Sequence, residues 1–234
     1  MANPFFPNAT ATYADLLNAA RDASPFFDPT RIPGGVAARL ASQSQRALIE
    51  ATIRRDPDMF RVTTTVPAAS LVPGTPYTLP AFTMVIRLDV QFTAPEPFPE
   101  PLPFIPASRA DDYASRRGAY LTGTSLNFTG RPEDWGTIAG VVVSYVPQIA
   151  DFAAESDSLS VPDDAKDAVA ADLALRFARR VNGMPIDGED PEHGVIQLDM
   201  DAFTMHAATA VDGWFQRVVM GVRSRRVQNR NMFA

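Results

Sequence analysis

Carboxylates are the only side chains in this sequence whose number and spacing could support catalysis or metal binding. They are densest in a stretch with glycine and proline that holds four acids and a histidine: Asp187, Glu189, Asp190, Glu192 and His193. Oxygen ligands of this kind suit Ca²⁺, but the spacing is not that of an EF-hand loop. A solvated connection between two helices explains the same residues, and we favour that interpretation over a metal site.

The sequence contains few other residues that could act as nucleophiles, bases, metal ligands or phosphate-binding loops. The chain has no cysteine, which excludes disulfides, thiolate metal sites and cysteine nucleophiles. Its two histidines are His193 and His206, and the second lies inside a predicted helix, where a packed or interface histidine is expected. Ser156 and Ser158 lack a nucleophile-elbow setting, and no glycine-rich phosphate loop follows a strand. The sequence therefore predicts no catalytic residue, no cofactor and no metal.

Charge is distributed unevenly along a chain whose formal net charge is −6. From residue 217 onward there is no acid, and six residues form a candidate partner-binding set: Arg217, Arg223, Arg225, Arg226, Arg230 and Phe233. Arginines could contact nucleic-acid phosphates, but the scarcity of interleaved aromatics argues against base stacking, and the acidic body argues against general DNA binding. We expect this end to pair with an acidic protein surface through bidentate arginine–carboxylate bonds.

Helical periodicity predicts two helices at each end of the chain, over residues 10–24, 36–55, 162–181 and 198–222. Thr10 or Thr12 can cap the first helix. The third has apolar residues at strict i+4 spacing: Ala165, Val169, Leu173, Phe177 and Val181. The fourth carries two apolar stripes, which indicates contacts on two sides, including contacts with a neighbouring subunit. No segment approaches the roughly 20 apolar residues of a membrane span, and the first residues do not resemble a signal peptide.

Between these pairs of helices, the period of hydrophobicity changes to two. Strands are predicted at residues 62–66 and 86–92, another within 120–128, and one covered on both faces at 137–146. A proline-dense run at 93–106 predicts an extended surface segment. The predicted class is α+β: a helical bundle at 1–59 and 147–222 with an inserted antiparallel β unit at 60–146. Residues 223–234 are predicted to be an extended tail that orders on binding. All of these parts belong to one domain.

One stretch resembles a known family. It contains Tyr145-Val146-Pro147, then the acidic step Glu155-Ser156-Asp157-Ser158, then Leu159-Ser160-Val161-Pro162 opening a helix. A short helix with Asp15-Leu16-Leu17 and the step Tyr77-Thr78-Leu79-Pro80 before a strand add to the pattern. Together they resemble the head–tail adaptor (connector) proteins of tailed bacteriophages and gene transfer agents. The β insertion is larger here than in the smallest members.

The resemblance implies a structural, non-enzymatic virion protein. It implies a ring, usually dodecameric, that binds beneath the portal, continues the DNA channel and presents a surface to a stopper, terminator or tail tube. DNA would pass through without specific binding, and no membrane is involved. Assembly would take place in the host cytoplasm and the final location would be the virion neck. In such rings the C-terminal tail often reaches a neighbour or the portal, and residues 223–234 match that tail by position only.

Two alternatives remain open. Another tail component, such as a terminator or baseplate subunit, would form six-fold or three-fold rings without a portal contact. A carboxylate-dependent hydrolase would need a deep pocket in the β unit with paired acids of shifted pKa. The shortage of nucleophiles and histidines argues against the hydrolase.

Overall fold

The chain forms two units, Met1–Met59 with Ala150–Ala234, and Phe60–Ile149. We call them the helical unit and the β unit. The computed structural model describes residues 5–6, 9–24, 34–93, 99–184 and 196–231, and for residues 34 and 222–231 it describes the backbone alone. Helices and antiparallel sheets together confirm the α+β class.

In the described residues, the helical unit contains four α-helices: α1 (Tyr13–Ala23), α2 (Gly34–Ile53), α3 (Lys166–Val181) and α4 (Met200–Asn231). Helix α3 lies against each of the other three. The i+4 series predicted from the sequence, from Ala165 to Val181, is buried throughout. The regular spacing therefore identifies the face of α3 around which the unit packs. No described helix is long and apolar enough to cross a membrane.

Helix α1 begins with a capping box. The Thr12 backbone N–H donates to Asp15 Oδ2 (2.8 Å), and the Asp15 N–H donates to Thr12 Oγ1 (3.3 Å). The helix ends at Ser24, whose N–H donates to the carbonyl of Ala20. Of the two threonines predicted as caps, the structure uses Thr12.

The prediction of an extended tail is wrong for residues 223–231, which continue α4 as helix. After Gly221 there is no glycine or proline before the helix ends, and arginine and glutamine are good helix formers. Adding residues to an existing helix is also easier than nucleating a new one. The high polarity of residues 223–231 therefore does not prevent them from forming a helix. Residues 232–234 lie outside the described part of the chain.

The two predicted stripes of α4 have different environments. In the second stripe, Ala207 and Trp214 are buried, and Phe203 and Ala210 are partly buried. In the first stripe, Phe215 is buried, but Met205 is 70% exposed and Val219 is also exposed. One side of α4 therefore joins the core of the helical unit, and the other keeps large apolar side chains at the surface.

The β unit contains two antiparallel sheets among its described residues. The larger has the order β1-β7-β3-β4, with β1 at Val62–Pro67, β3 at Phe82–Phe92, β4 at Glu100–Pro101 and β7 at Ile138–Pro147. The smaller has the order β2-β6-β5, with β2 at Tyr77–Thr78, β5 at Gly118–Thr122 and β6 at Ser125–Thr129. A shared hydrophobic cluster that includes Val90, Phe128, Trp135 and Val141 lies in this unit.

The strands predicted near residues 62–66, 86–92 and 137–146 are confirmed. The single strand predicted within 120–128 is wrong, because β5 and β6 form a hairpin there. Gly123 has φ +63°, a conformation that a two-residue hairpin turn needs and that glycine adopts without steric cost. Strand β7 pairs with β1 on one side and β3 on the other and is mostly buried, as predicted for this segment.

We expect Gly140→Ala to lower the free energy of unfolding of the β unit by about 1–3 kcal/mol. A Cβ at Gly140 would lie 2.8 Å from the backbone oxygen of Val66 on the paired strand, which cannot move without disturbing the ladder. Gly136→Ala is the matched control, since its Cβ would be 3.7 Å from the nearest atom, an ordinary contact. Urea unfolding followed by tryptophan fluorescence measures both, and since Trp214 of the helical unit is the same in the two variants, a difference between them reports on the β unit. Equal midpoints for the two variants would contradict the argument.

Candidate functional site

The stretch that carries the family resemblance forms a loop between β7 and α3, and we call residues 151–163 the acidic loop. The carboxylate of Asp163 accepts hydrogen bonds from the N–H groups of Thr10 (3.1 Å) and Ala11 (2.9 Å). It also accepts the hydroxyl of Thr10 (3.3 Å). The N–H of Ala11, followed by that of Thr10, holds the pKa of Asp163 below its ordinary value.

Asp157 organises the middle of the same loop. Its carboxylate accepts the N–H groups of Ala153 (2.7 Å) and Ala154 (2.8 Å), which lower the pKa of Asp157, with Ala154 the larger cause. Its backbone carbonyl accepts the N–H of Tyr13 (2.8 Å) in the first turn of α1. The first N–H groups of a helix have no partner inside the helix, so the loop supplies one of the missing acceptors.

The acidic loop is also fastened to α2. The N–H of Phe152 donates to Ser42 Oγ (3.0 Å), and the N–H of Ser160 donates to the side-chain oxygen of Gln45 (2.8 Å). Both α2 residues are buried. Tyr13 stacks on Phe152 with ring centroids 4.8 Å apart. The loop therefore joins α1, α2 and the start of α3, and two of its acids, Asp157 and Asp163, accept hydrogen bonds from backbone N–H groups.

A second feature lies on the outer side of α4. A groove of about 470 Å³ is lined by the turn after α2 and two turns of α4: Arg55, Asp212, Phe215, Gln216, Val219 and Met220. The Arg55 guanidinium lies 3.5 Å from the centroid of the Phe215 ring, in cation–π geometry. We call this the α4 groove. Its lining combines apolar side chains with one acid and one base.

The predicted partner-binding residues occupy the last turns of α4 and beyond. Arg217 Nη2 donates to the carbonyl of Asp164 (3.0 Å), so this arginine already contacts the start of α3. Backbone spacing places Arg223, Arg226 and Arg230 on one face of α4 and Arg225 on a different face. Their side chains, and Phe233 altogether, lie outside the described residues.

The other predicted groups do not assemble into a site. The acidic cluster from Asp187 to His193 falls outside the described residues. Among the residues that are described, no group of three or more acids, histidines and cysteines could hold a metal ion. His206 is exposed on α4 and is therefore not packed within this chain.

The sequence model of the SU10 adaptor protein family matches residues 11–216. This chain belongs to that family. The match starts beside the cap of α1 and ends within the α4 groove, so it spans the acidic loop and the β unit. The resemblance to phage head–tail adaptors is thereby confirmed, and the protein is an adaptor-type structural component of a bacteriophage virion. No curated protein matches the chain.

The range matched by the SU10 adaptor family model includes some of the residues described above and excludes others. The acidic loop and most of the α4 groove lie within the matched range, whereas all six predicted partner-binding residues follow it. The α4 groove itself was not predicted. Its only signal in the sequence was the first apolar stripe of α4, which contains Phe215 and Val219. The approach of Arg55 to Phe215 depends on how two distant helices pack, so the sequence did not show it.

Proposed function

We propose that this adaptor protein forms a ring, dodecameric in our expectation, that joins the portal to the next tail component and continues the DNA channel. The observation that carries the proposal is the match of the phage adaptor family across residues 11–216. The acidic loop supports it, since it fixes α1, α2 and α3 into a body that can bear contacts with neighbours. The tail-side partner would be a stopper, terminator or tail tube.

The charge distribution supports a channel that DNA passes through without being held. The formal net charge of the chain is −6. The carboxylates of an acidic channel wall repel DNA phosphates, so the DNA would not be held there. The stretch from residue 217 onward holds five arginines and no acid, so the rest of the chain carries more than the whole net negative charge. In this proposal, the arginine end faces an acidic surface of the portal, and the acidic body lines or surrounds the channel.

We expect the triple variant Arg223→Ala, Arg225→Ala and Arg226→Ala to weaken binding to the portal at least about tenfold, equivalent to about 1.4 kcal/mol. Charge-assisted arginine–carboxylate bonds are among the stronger polar contacts, and salt should weaken the wild-type complex further. The measurements are co-sedimentation with portal rings and the yield of tailed particles.

A triple variant with the same change of charge provides the control. Arg39, Arg179 and Arg180 are exposed arginines of the helical unit, and their replacement by alanine should leave portal binding unchanged. Normal particle assembly by the α4 variant would count against the portal contact. Negative-stain images that show three-fold or six-fold rings apart from the portal would instead favour a terminator or baseplate subunit.

A further inference from the structure

Strand β1 forms an edge of the larger sheet. Among the described strands, only β7 pairs with it. The pairing runs in unbroken register from Val62 to Pro67, without the shifts that interrupt the pairing of β3 with β7. Thr63 and Thr65 are exposed, so the chain leaves this strand accessible to solvent. An edge strand of this kind presents a row of backbone N–H and C=O groups that can pair with another chain.

The other edge strands in the described part of the β unit are each protected. Strands β2 and β4 are two residues long, and prolines lie on both sides of β2 and within β4. Strand β5 is covered, since Ala119 donates its N–H to the carbonyl of Pro103 and its carbonyl accepts the N–H of Ile105. Short length, proline and a covering segment all hinder pairing with another chain. From Val62 to Val66, β1 has no proline, bulge or charged residue that would do the same.

The sequence of β1 is a palindrome, Val62-Thr63-Thr64-Thr65-Val66. If two copies pair antiparallel about Thr64, each valine lies opposite a valine and each threonine lies opposite a threonine. Val62 and Val66 both pack on the hydrophobic cluster of the β unit, so the valines of the two copies would share one face. Threonine pairs and pairs of β-branched residues stabilise antiparallel ladders. The strand therefore has the self-complementarity that a two-fold contact requires.

Charge does not oppose such a pair. The strand has no charged residue, and the nearest one in sequence is Arg61, directly before it. Pairing about Thr64 places Arg61 opposite Pro67 of the second copy, so the two copies of Arg61 are about 20 Å apart at 3.3 Å per residue. That separation exceeds the Debye length of about 8 Å at physiological salt. An identical strand is therefore electrostatically compatible as the partner.

We infer that two free copies of this protein pair through β1, which joins two four-stranded sheets into one sheet of eight strands. The pairing uses the accessible edge of both copies and therefore stops at two. Neighbours in a cyclic ring make heterologous contacts, whereas this contact is isologous. The dimer thus belongs to the free protein before assembly, and the inference does not rest on the proposed ring. Until assembly, the dimer keeps β1 from pairing with other chains, as an uncovered edge strand otherwise does.

The absence of cysteine allows a direct test by cross-linking of the purified full-length chain. Oxidised Thr64→Cys should form a disulfide-linked dimer, because directly opposite residues have Cα atoms about 4.5–5.5 Å apart, within the reach of a disulfide. Thr63→Cys is the control, since its two copies would be diagonal neighbours roughly 7–8 Å apart, beyond that reach. Thr63 is more exposed than Thr64, so random collisions would favour the control. We expect the control to give at most about a tenth of the dimer.

A second measurement uses charge to separate the copies. In the double variant Thr63→Lys with Thr65→Lys, each new lysine lies opposite a lysine of the other copy, and like charges opposed across a ladder are destabilising. Sedimentation equilibrium should show a dissociation constant raised at least about tenfold. The far-UV circular dichroism should be unchanged, because both positions are exposed. Thr122→Lys with Thr124→Lys adds the same charge at exposed positions of the smaller sheet and its turn, and should leave the dimer intact.

Three outcomes would overturn the inference: a wild-type chain that sediments as a monomer at the concentration used for cross-linking, a dimer that the lysines at 63 and 65 leave unchanged, or equal cross-linking at positions 63 and 64. The cross-linking comparison decides even if the lysines disturb the β unit. Each of these results leaves the proposed function standing, since that proposal concerns assembled particles. Particles without adaptor rings would refute the proposed function and leave the dimer of the free protein unaffected.

Discussion

Trp214→Ala is expected to lower the free energy of unfolding of the helical unit by about 3–5 kcal/mol, the range for removing a large aromatic from a core. Trp214 is 2% exposed and lies where α4 meets α2. Its indole N–H donates to Thr52 Oγ1 at 3.0 Å, and the Thr52 hydroxyl donates to the carbonyl of Leu48 at 2.7 Å. Alanine would therefore leave a cavity and also remove a buried hydrogen bond.

Two further variants show how much of that loss comes from the hydrogen bond and whether it is specific to the buried side of α4. Trp214→Phe keeps an aromatic ring but removes the donor to Thr52, and should cost about 1–2 kcal/mol. Met205→Ala, on the exposed side of the same helix, should change stability by less than about 0.5 kcal/mol. Urea unfolding followed by far-UV circular dichroism reports on the helices in all three. If Trp214→Ala unfolded at the same midpoint as Met205→Ala, the packing of α4 described above would be wrong.

Acid is expected to destabilise the helical unit through the carboxylates that bind backbone N–H groups. Hydrogen bonds hold the pKa of Asp15, Asp157 and Asp163 below the ordinary carboxyl value, chiefly from the backbone of Thr12, Ala154 and Ala11 respectively. The unfolded chain therefore binds more protons than the folded one near pH 4. The stability from these groups is fully present above the ordinary carboxyl pKa of about 3.9 and is lost as the pH falls through the lower folded values.

The contribution of Asp163 can be isolated by comparison with the next residue. Asp163→Ala should cost about 1 kcal/mol at neutral pH, as for other carboxylates that cap backbone N–H groups. The gap from the wild type should shrink on acidification, since a protonated Asp163 is a poorer acceptor. Asp164→Ala is the control, because its exposed carboxylate lies 3.9 Å from Arg217 in a surface pair of little energetic value. A gap for Asp163→Ala that stays constant with pH would contradict the assignment.

Local rules accounted for much of the fold. The i+4 series of α3, the cap of α1, the alternation in β3 and the apolar character of both faces of β7 depend on neighbours in sequence, and the sequence alone predicts each of them. The errors also had local causes. The turn at Gly123 divided one predicted strand into a hairpin, and the polar end of α4 was mistaken for disorder although its residues favour helix.

The candidate site depends more on contacts between distant parts of the chain. Asp163 binds Thr10 across 153 positions, and Trp214 binds Thr52 across 162. The sequence shows that Asp163 is an acid near the start of a helix, but not that its partners are residues 10 and 11. The α4 groove was missed for the same reason, since Arg55 and Phe215 meet only after α2 and α4 have packed.

The length of α4 has a mechanical consequence. From Val218, which is buried, the helix runs on to Asn231, about 20 Å at 1.5 Å per residue. If the helix tilts by 10° about Val218, its C-terminal end moves by about 3–4 Å over that length. That displacement exceeds the donor–acceptor distance of a hydrogen bond of about 2.9 Å.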